Sequence, residues 1–173
     1  MSVLSKTLAE KGADAPKEIL NELVLTEISF KDFQGNIKTG RLVIHQDLVE
    51  EIQSIFKKIK DLGFPIEIMD PLGDKKRPDT TNNTSCFNFR YISGTKTLSQ
   101  HSFGRAIDIN PLFNPYYGRK GVSPKGATYD KSRPGTLTKD GKVVKIFESY
   151  GWEWLGRETQ HPDYMHFEKP KVL

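Results

Sequence analysis

Cysteine is almost missing from this chain of 173 residues, in which Cys86 is the only one. A single thiol excludes an internal disulfide bond. We interpret Cys86 as a small buried apolar side chain and not as a nucleophile. A lone cysteine most often packs in this way, and the histidines of this chain are better used elsewhere.

Long apolar runs are missing as well. No stretch is apolar enough to cross a membrane, so the sequence predicts no membrane span. Residues 1–24 carry a charge every few positions, which predicts that they contain no signal peptide. The chain also lacks internal repeats and low-complexity tracts, so a repeat architecture is not expected.

Charge is not concentrated in a way that would point to nucleic acid. The formal net charge is +4, a mild excess that suits an anionic polymer such as a bacterial cell wall but does not identify one. The basic residues are scattered, and we interpret the run Lys75-Lys76-Arg77 as the solvated surface of a polar loop. No nucleic-acid-binding motif accompanies the charge, so we predict no nucleic acid partner.

The length, with 36% hydrophobic and 28% charged residues, predicts one globular domain with a substantial core. Alternating apolar residues predict a hairpin of two strands, 25–30 and 37–45. Apolar residues spaced three and four apart predict helices over 48–62 and 140–150. Further short strands are predicted at 65–69, 86–91, 105–110, 152–155 and 164–168.

Many strands with only two clear helices predict an α+β domain. We expect a mostly antiparallel sheet with flanking helices. This domain is expected to cover residues 25–173, and a loosely helical leader segment at residues 1–24 precedes it.

Two fragments far apart in the sequence carry the chemistry of the chain. The first runs from Ser99 to Asp108 and contains His101, and the second contains Asp163 and His166. Zinc prefers imidazole, thiolate or carboxylate ligands, and a catalytic site uses three of them and leaves a fourth position for water. His101, Asp108 and His166 make such a triple, and Asp163 is then left as a base for the water.

Each of these residues also has an ordinary interpretation when it is considered alone. His101 could be an exposed loop residue, Asp108 a surface carboxylate and His166 a hydrogen-bonded core residue. Asp108, however, lies between Ile107 and Ile109 on a strand that should be largely buried. A buried carboxylate needs a cation, a metal or several donors, and a metal shared with His101 meets that need.

The combined pattern resembles a known family. It reads Ser99-x-His101-x-x-Gly104-x-Ala106-x-Asp108, followed by Asp163-x-x-His166. This is similar to the motifs of the D-alanyl-D-alanine carboxypeptidase-like zinc peptidases, which include vancomycin-resistance carboxypeptidases and the L-alanyl-D-glutamate peptidases of phage lysins. The likeness covers about residues 37–168 and takes in Cys86-Phe-Asn-Phe-Arg90, Ile107-Asp-Ile-Asn-Pro111, Asn114-Pro115 and Gly151-Trp152.

The resemblance implies a fold like that of hedgehog and D-Ala-D-Ala peptidase domains. It implies one zinc ion per chain, held by His101, Asp108 and His166. It also implies that Asp163 is the general base and then the acid that protonates the leaving amine. Some members of the family carry Glu at that position, and Asp is the residue of the phage-type endopeptidases.

Further residues are expected to line the cleft. The resemblance implies that Arg90 steadies the polarised carbonyl and the oxyanion, and that Ser99 contacts substrate. Arg90 could instead be a charge on the surface of a strand, and the Ser99 hydroxyl could cap the loop. The long segment 111–138 follows the metal-bearing strand, so we expect it to form a wall or lid, with Tyr116 against substrate. His161 is assigned to substrate or to a neighbouring carboxylate, with a plain loop position as the alternative.

The resemblance implies a zinc-dependent peptidase that cuts a bond next to a D-amino acid in peptidoglycan. The activity would be that of an L-alanyl-D-glutamate endopeptidase or a D-alanyl-D-alanine carboxypeptidase. We expect peptidoglycan stem peptides as partners, the bacterial cell wall as the place of action and a monomer as the working state. The alternative is a non-catalytic zinc-binding interaction module of the hedgehog-like fold. The presence of both Asp163 and Arg90 favours the enzyme.

Overall fold

The computed structural model describes residues 2–71 and 81–170. Its helices are α1 (Val3–Lys11), α2 (Lys17–Leu20), α3 (Val49–Asp61) and α4 (Lys142–Ser149). Its strands are β1 (Leu23–Lys31), β2 (Ile37–His45), β3 (Ile68–Met69), β4 (Asn83–Thr84), β5 (Ala106–Asp108), β6 (Tyr116–Gly118), β7 (Gly121–Ser123), β8 (Glu153–Trp154) and β9 (His166–Glu168). The run Lys75-Lys76-Arg77 lies outside the described residues, so its interpretation as surface stays a prediction.

The predicted hairpin is confirmed as β1 and β2, which pair antiparallel along their full length, beginning with Leu23 opposite His45. Asp32 holds the turn, because its carboxylate accepts hydrogen bonds from the backbone N–H groups of Gln34 and Asn36 at 3.0 and 2.8 Å. β1 begins inside the segment that was assigned to the leader. The boundary between leader and domain stays a prediction.

The first helix packs against this hairpin. Leu4 and Leu8 of α1 lie against a small cluster of buried apolar side chains formed by Leu23, Val43 and Phe87. Burial of these side chains away from water stabilises the contact. The leader segment is therefore helical in part and in contact with the rest of the chain.

The predicted long helix is confirmed as α3, with its apolar face in the main core. Its buried residues are Ile52, Ile55, Phe56 and Ile59, which follow the spacing of one helix face. They pack with the inner faces of β1 and β2 and with α4. In the described part of the chain, no helix combines the length and the apolar character that a membrane span requires.

The strands form several small sheets, where the sequence predicts one. β5, β9 and β8 make a three-stranded antiparallel sheet with β9 in the centre, and β6 pairs with β7 as a hairpin. β3 and β4 are parallel. The α+β class is confirmed, but irregular segments between the strands interrupt the hydrogen bonding that one continuous sheet requires. The closer likeness to hedgehog domains stays a prediction.

The predicted strand over 86–91 is wrong. Its backbone groups bond to different elements: the N–H of Asn88 donates to the carbonyl of His101, and the N–H of Phe89 donates to the carbonyl of Lys11. Partners on separate elements cannot form the regular ladder of a strand pair. The segment instead brings the carbonyl of Cys86 next to the His101 side chain.

Stacked aromatic rings pack the inner face of the sheet that contains β5 and β9. Phe167 of β9 is fully buried, and its ring centre lies 4.0 Å from that of Phe147 on α4. Ile107 of β5 is fully buried in the same core. Side chains alternate along a strand, so Asp108 and His166 project from the opposite face. The core thereby fixes the strands that carry two of the predicted metal ligands.

Gly104 provides a test of the backbone path that leads into β5. Its φ angle is +63°, and an added Cβ would lie 2.6 Å from the backbone nitrogen of His45. We expect Gly104→Ala to lower the free energy of unfolding by about 2 kcal/mol or more, because left-handed strain and a clash with backbone act together.

Gly35→Ala is the matched control for Gly104→Ala. Gly35 has a φ of +82° with open space around it, so alanine there adds strain without a clash and should cost about 1 kcal/mol. Urea unfolding followed by circular dichroism measures both variants. Equal losses of stability would contradict the predicted clash.

Candidate metal centre

A short 3₁₀ helix, Gln100–Phe103, carries His101. Ser99 precedes this helix, and its hydroxyl accepts a hydrogen bond from the backbone N–H of His101 at 3.3 Å. Gly104 ends it in the left-handed conformation. His101 is 2% exposed, and its Nδ1 hydrogen-bonds to the carbonyl oxygen of Cys86. Because a carbonyl only accepts, Nδ1 carries a proton, so Nε2 is the nitrogen that can offer a lone pair to a metal.

Asp108 and His166 face each other across two strands. They are directly opposite in the antiparallel pair of β5 and β9, a position that brings side chains into contact. Asp108 Oδ1 lies 3.1 Å from His166 Nδ1, and Asp108 Oδ2 lies 3.2 Å from His101 Nε2. His101 Nε2 and His166 Nδ1 are 3.1 Å apart. The structure thus brings the three predicted ligands together.

Glu168 holds the outer side of the His166 ring. Its Oε2 lies 2.9 Å from His166 Nε2, and alternation along β9 puts both side chains on one face. The carboxylate accepts a hydrogen bond from the Nε2–H group, and Nδ1 is the nitrogen that faces Asp108 and His101. This role of Glu168 was not predicted: the spacing of two on a predicted strand indicates a shared face with His166, but not which ring nitrogen faces the cluster.

A positive charge is needed at the centre of this cluster. If both rings were neutral with their outer nitrogens protonated, their inner lone pairs would point at one another and at a carboxylate. Only a proton or a metal ion among the three groups makes that arrangement favourable.

A zinc ion fits this cluster. The ligand atoms of His101, Asp108 and His166 all lie within 4.8 Å of one another. Zinc bonds of about 2.0–2.1 Å in tetrahedral geometry separate ligand atoms by about 3.3 Å, close to the distances found here. Two imidazole nitrogens and one carboxylate oxygen are also a donor set that suits zinc.

The pKa values of His166 and Asp108 also show that a positive charge is needed between the three groups. Burial alone would lower the pKa of His166, but hydrogen bonds to Asp108 and Glu168 outweigh it and raise the pKa to about 10. Burial opposes the charged form of Asp108, yet the charge of His101 and hydrogen bonds from both histidines hold the pKa of that carboxyl well below its usual range. A proton therefore occupies the centre when no metal does, and metal binding has to release it.

Asp163 lies just before β9 with one carboxylate oxygen buried. Among the residues that the structure describes, its Oδ1 has no hydrogen-bond partner. Burial, reinforced by the negative charge of Asp108, raises the pKa of Asp163 to about 7, while the charges of His166 and Arg90 oppose the shift. A carboxyl group with a pKa near neutrality can take up and release a proton under physiological conditions.

Arg90 is exposed, and its backbone is bound to the segment around His101. Its N–H donates to the hydroxyl of Ser102, and that hydroxyl donates to its carbonyl, at 2.9 and 2.8 Å. Its charge lowers the pKa of Asp163, so both residues flank the same cluster. Ser99 is buried, and its bond to His101 corresponds to the capping alternative. A contact of Ser99 with substrate stays a prediction.

The long segment contains the β6–β7 hairpin, which runs beside Asp163. Tyr116 forms an antiparallel bridge with Asp163, and the N–H of Tyr117 donates to the carbonyl of Pro162 at 2.9 Å. The hairpin therefore forms a wall next to Asp163. His161 is half-buried in the loop that precedes Asp163. Contacts of Tyr116 and His161 with substrate stay predictions.

Two histidines and an aspartate beside a second carboxylate, one of whose oxygens is buried without a partner among the described residues, are the kind of site that hydrolytic metalloenzymes use. Residues 93–169 match a family model described as D-alanyl-D-alanine carboxypeptidase. The matched part contains the three predicted ligands and the predicted base, and the match confirms the resemblance that the motifs indicate. Searches among curated proteins and among solved structures give no significant match.

Glu168→Ala should weaken zinc binding without removing a ligand. Loss of the acceptor frees the ring of His166 to turn and to change its tautomer, and loss of such a partner typically lowers metal affinity by about 10- to 100-fold. Glu168→Gln keeps an acceptor oxygen and should lose less. Competition with a chromogenic chelator measures these affinities.

Glu153→Gln is the matched control for this series. Glu153 lies opposite Glu168 on β8 and is exposed, so its loss removes a nearby carboxylate without freeing the His166 ring. We expect its zinc affinity to equal that of the wild type. Unchanged affinity in Glu168→Ala would show that Glu168 does not orient His166.

Proposed function

We propose that this chain is a zinc-dependent peptidase that cuts a bond next to a D-amino acid in peptidoglycan stem peptides. The proposal is carried by one observation: Asp163, whose buried Oδ1 has no hydrogen-bond partner among the described residues, interacts through its charge with Asp108 and His166 of the cluster. The family match supports a peptidase. We further propose that the chain acts at the bacterial cell wall as a monomer with one zinc ion.

The three ligands would hold zinc in an arrangement that the protein has largely prepared. When bound, zinc supplies a Lewis acid that polarises a carbonyl and lowers the pKa of a water molecule. The carbonyl of Cys86 orients His101, and the carboxylate of Glu168 orients His166. Little reorganisation is then needed when the metal binds, which favours both affinity and a defined geometry.

Asp163 would take a proton from the attacking water and later give it to the leaving amine. Its pKa of about 7 suits both steps, and this kind of help is typically worth about 10²–10⁴ in rate. Arg90 would stabilise the negative charge that develops on the carbonyl oxygen. Its exposed position and its charge interaction with Asp163 support this role.

The bond that is cut depends on how the cleft ends. We propose the L-alanyl-D-glutamate bond, because the Asp-x-x-His element of this chain resembles that of the endopeptidases. The description of the matched family favours a second candidate, a D-alanyl-D-alanine carboxypeptidase. Such an enzyme needs a cation for the terminal carboxylate, and the segment after β5 offers Arg119 and Lys125.

A non-catalytic zinc-binding module is the competing function from another class. Such a module needs the three ligands but has no use for a base. A carboxylate oxygen that is buried without a partner destabilises the fold, so it calls for a functional reason. Asp163 and Arg90 beside the cluster therefore favour the enzyme.

Asp163→Asn separates the base from the ligands, because it keeps the shape of the side chain and removes its basicity. We expect about one zinc per chain and a fall in hydrolysis of about 10²-fold or more. Metal analysis and chromatography of the products measure the two effects. Near-normal turnover would show that another group is the base. As the control for the ligand set, Asp108→Ala should lose most of its zinc, since two histidines alone make a poor site.

Muropeptides with a pentapeptide stem identify the bond. We expect mass spectrometry to show cleavage between L-alanine and D-glutamate by the zinc-loaded protein, and none by Asp163→Asn over the same time. Release of free D-alanine with the alanyl-glutamate bond intact would identify the carboxypeptidase instead. A zinc-loaded protein that forms neither product would contradict the proposed function.

A further inference from the structure

The β6–β7 hairpin carries the positively charged residue Arg119 in its turn and is held beside Asp163. The N–H of Tyr117 donates to the carbonyl of Pro162, and the ring of Tyr117 packs edge to face on that of Tyr164 at 6.0 Å. These contacts tie the hairpin to the chain on both sides of Asp163. The turn of the hairpin, which carries Arg119, therefore has a defined position relative to the base.

His161 orients the side chain of Arg119. The Nε of Arg119 donates a hydrogen bond to Nε2 of His161 at 3.4 Å. Both terminal nitrogens of the guanidinium are left without a hydrogen bond or ion pair to any residue that the structure describes. Arg119 is exposed, so a ligand can reach these nitrogens.

We propose that Arg119, positioned by His161, binds a carboxylate of the peptide substrate. The proposal rests on the proposed function and names the group that the hairpin recognises. A guanidinium donates two parallel hydrogen bonds to a carboxylate, and such bidentate pairs fix orientation as well as adding affinity. The bond to His161 uses Nε and sets the plane of the guanidinium, which leaves the edge formed by the two terminal nitrogens for the ligand.

Other cations of the long segment are less suited to this task. Arg133 donates to the hydroxyl of Thr128 at 2.9 Å, and its guanidinium lies over the ring of Phe113 at 4.6 Å. Lys120 is exposed in the same turn as Arg119, but an ammonium group lacks the planar fork. Lys120 therefore serves as a matched control, because it contributes equal charge at nearly the same place.

Two carboxylates of a stem peptide share the required chemistry. One is the α-carboxylate of the D-glutamyl residue, and the other is the C-terminal carboxylate of the last D-alanine. Three synthetic pentapeptides distinguish them: one with both groups free, one with the D-glutamyl α-carboxamide and one with the C-terminal carboxamide. Isothermal titration calorimetry measures their binding to zinc-loaded Asp163→Asn, and wild-type protein is assayed in parallel for hydrolysis.

We expect Arg119→Ala, combined with Asp163→Asn, to weaken binding of the free peptide by about tenfold, the size of a charged hydrogen-bonded contact at an exposed site. Arg119→Lys should recover part of the loss, and Lys120→Ala should leave binding unchanged. The carboxamide peptide that lacks the recognised group should bind weakly and should not respond to Arg119→Ala. In the wild-type background, Arg119→Ala should raise KM and leave kcat within about twofold.

Several results would overturn this inference. One is an equal loss of binding affinity in Arg119→Ala and Lys120→Ala. Another is a loss of affinity in Arg119→Ala that is the same for all three peptides. A third is that no peptide binds. Hydrolysis by the wild type without dependence on Arg119 would also overturn it, while leaving the proposed function intact. Binding that depends on Arg119 without hydrolysis by the wild type would instead contradict the proposed function alone.

Discussion

Two imidazole lone pairs and one carboxylate converge on a single buried point, and this convergence constrains the rest of the site. The carbonyl of Cys86 and the carboxylate of Glu168 engage the outer nitrogens of His101 and His166. The inner nitrogens and Asp108 must then share a cation. Burial, reinforced by the charge of Asp108, raises the pKa of the neighbouring Asp163 to about 7, so the acid–base properties of the site also depend on how the central charge is supplied.

The three groups converge only if the strands that carry them have a fixed orientation. Packing in the hydrophobic core fixes that orientation. Phe167 lies between His166 and Glu168 in sequence, is fully buried and stacks on Phe147. The face of β9 that carries the predicted ligand His166 and the carboxylate of Glu168 is therefore fixed by the core on its other side. Packing of this kind is what holds a site in its working geometry before the metal or substrate binds.

The grouping of His101, Asp108 and His166 could be predicted because their chemistry is unusual and local. A carboxylate between Ile107 and Ile109, followed at a distance by Asp163-x-x-His166, has few explanations other than a metal. The roles of Glu168 and of the Cys86 carbonyl could not be predicted in the same way. They depend on which nitrogen of each ring faces inward, and no sequence pattern reports that.

In the fold, too, some elements could be predicted from the sequence and others could not. The β1–β2 hairpin and α3 could be predicted from periodicity, because each satisfies its backbone hydrogen bonds locally. The strand expected over 86–91 has good alternation, but its backbone partners lie on α1 and on the segment that carries His101. Alternation of apolar and polar residues indicates a half-buried segment, but it does not indicate whether another strand runs alongside. The same limit explains why one sheet was expected where several small ones form.

Anomalous diffraction at the zinc edge, from crystals of the zinc-loaded protein, tests the proposed ligand set most directly. We expect one anomalous peak bonded to His101 Nε2, His166 Nδ1 and a carboxylate oxygen of Asp108, with Asp163 near the metal but not bonded to it. A peak at another place, or one bonded to His166 Nε2 or to Asp163, would contradict the proposed ligand set.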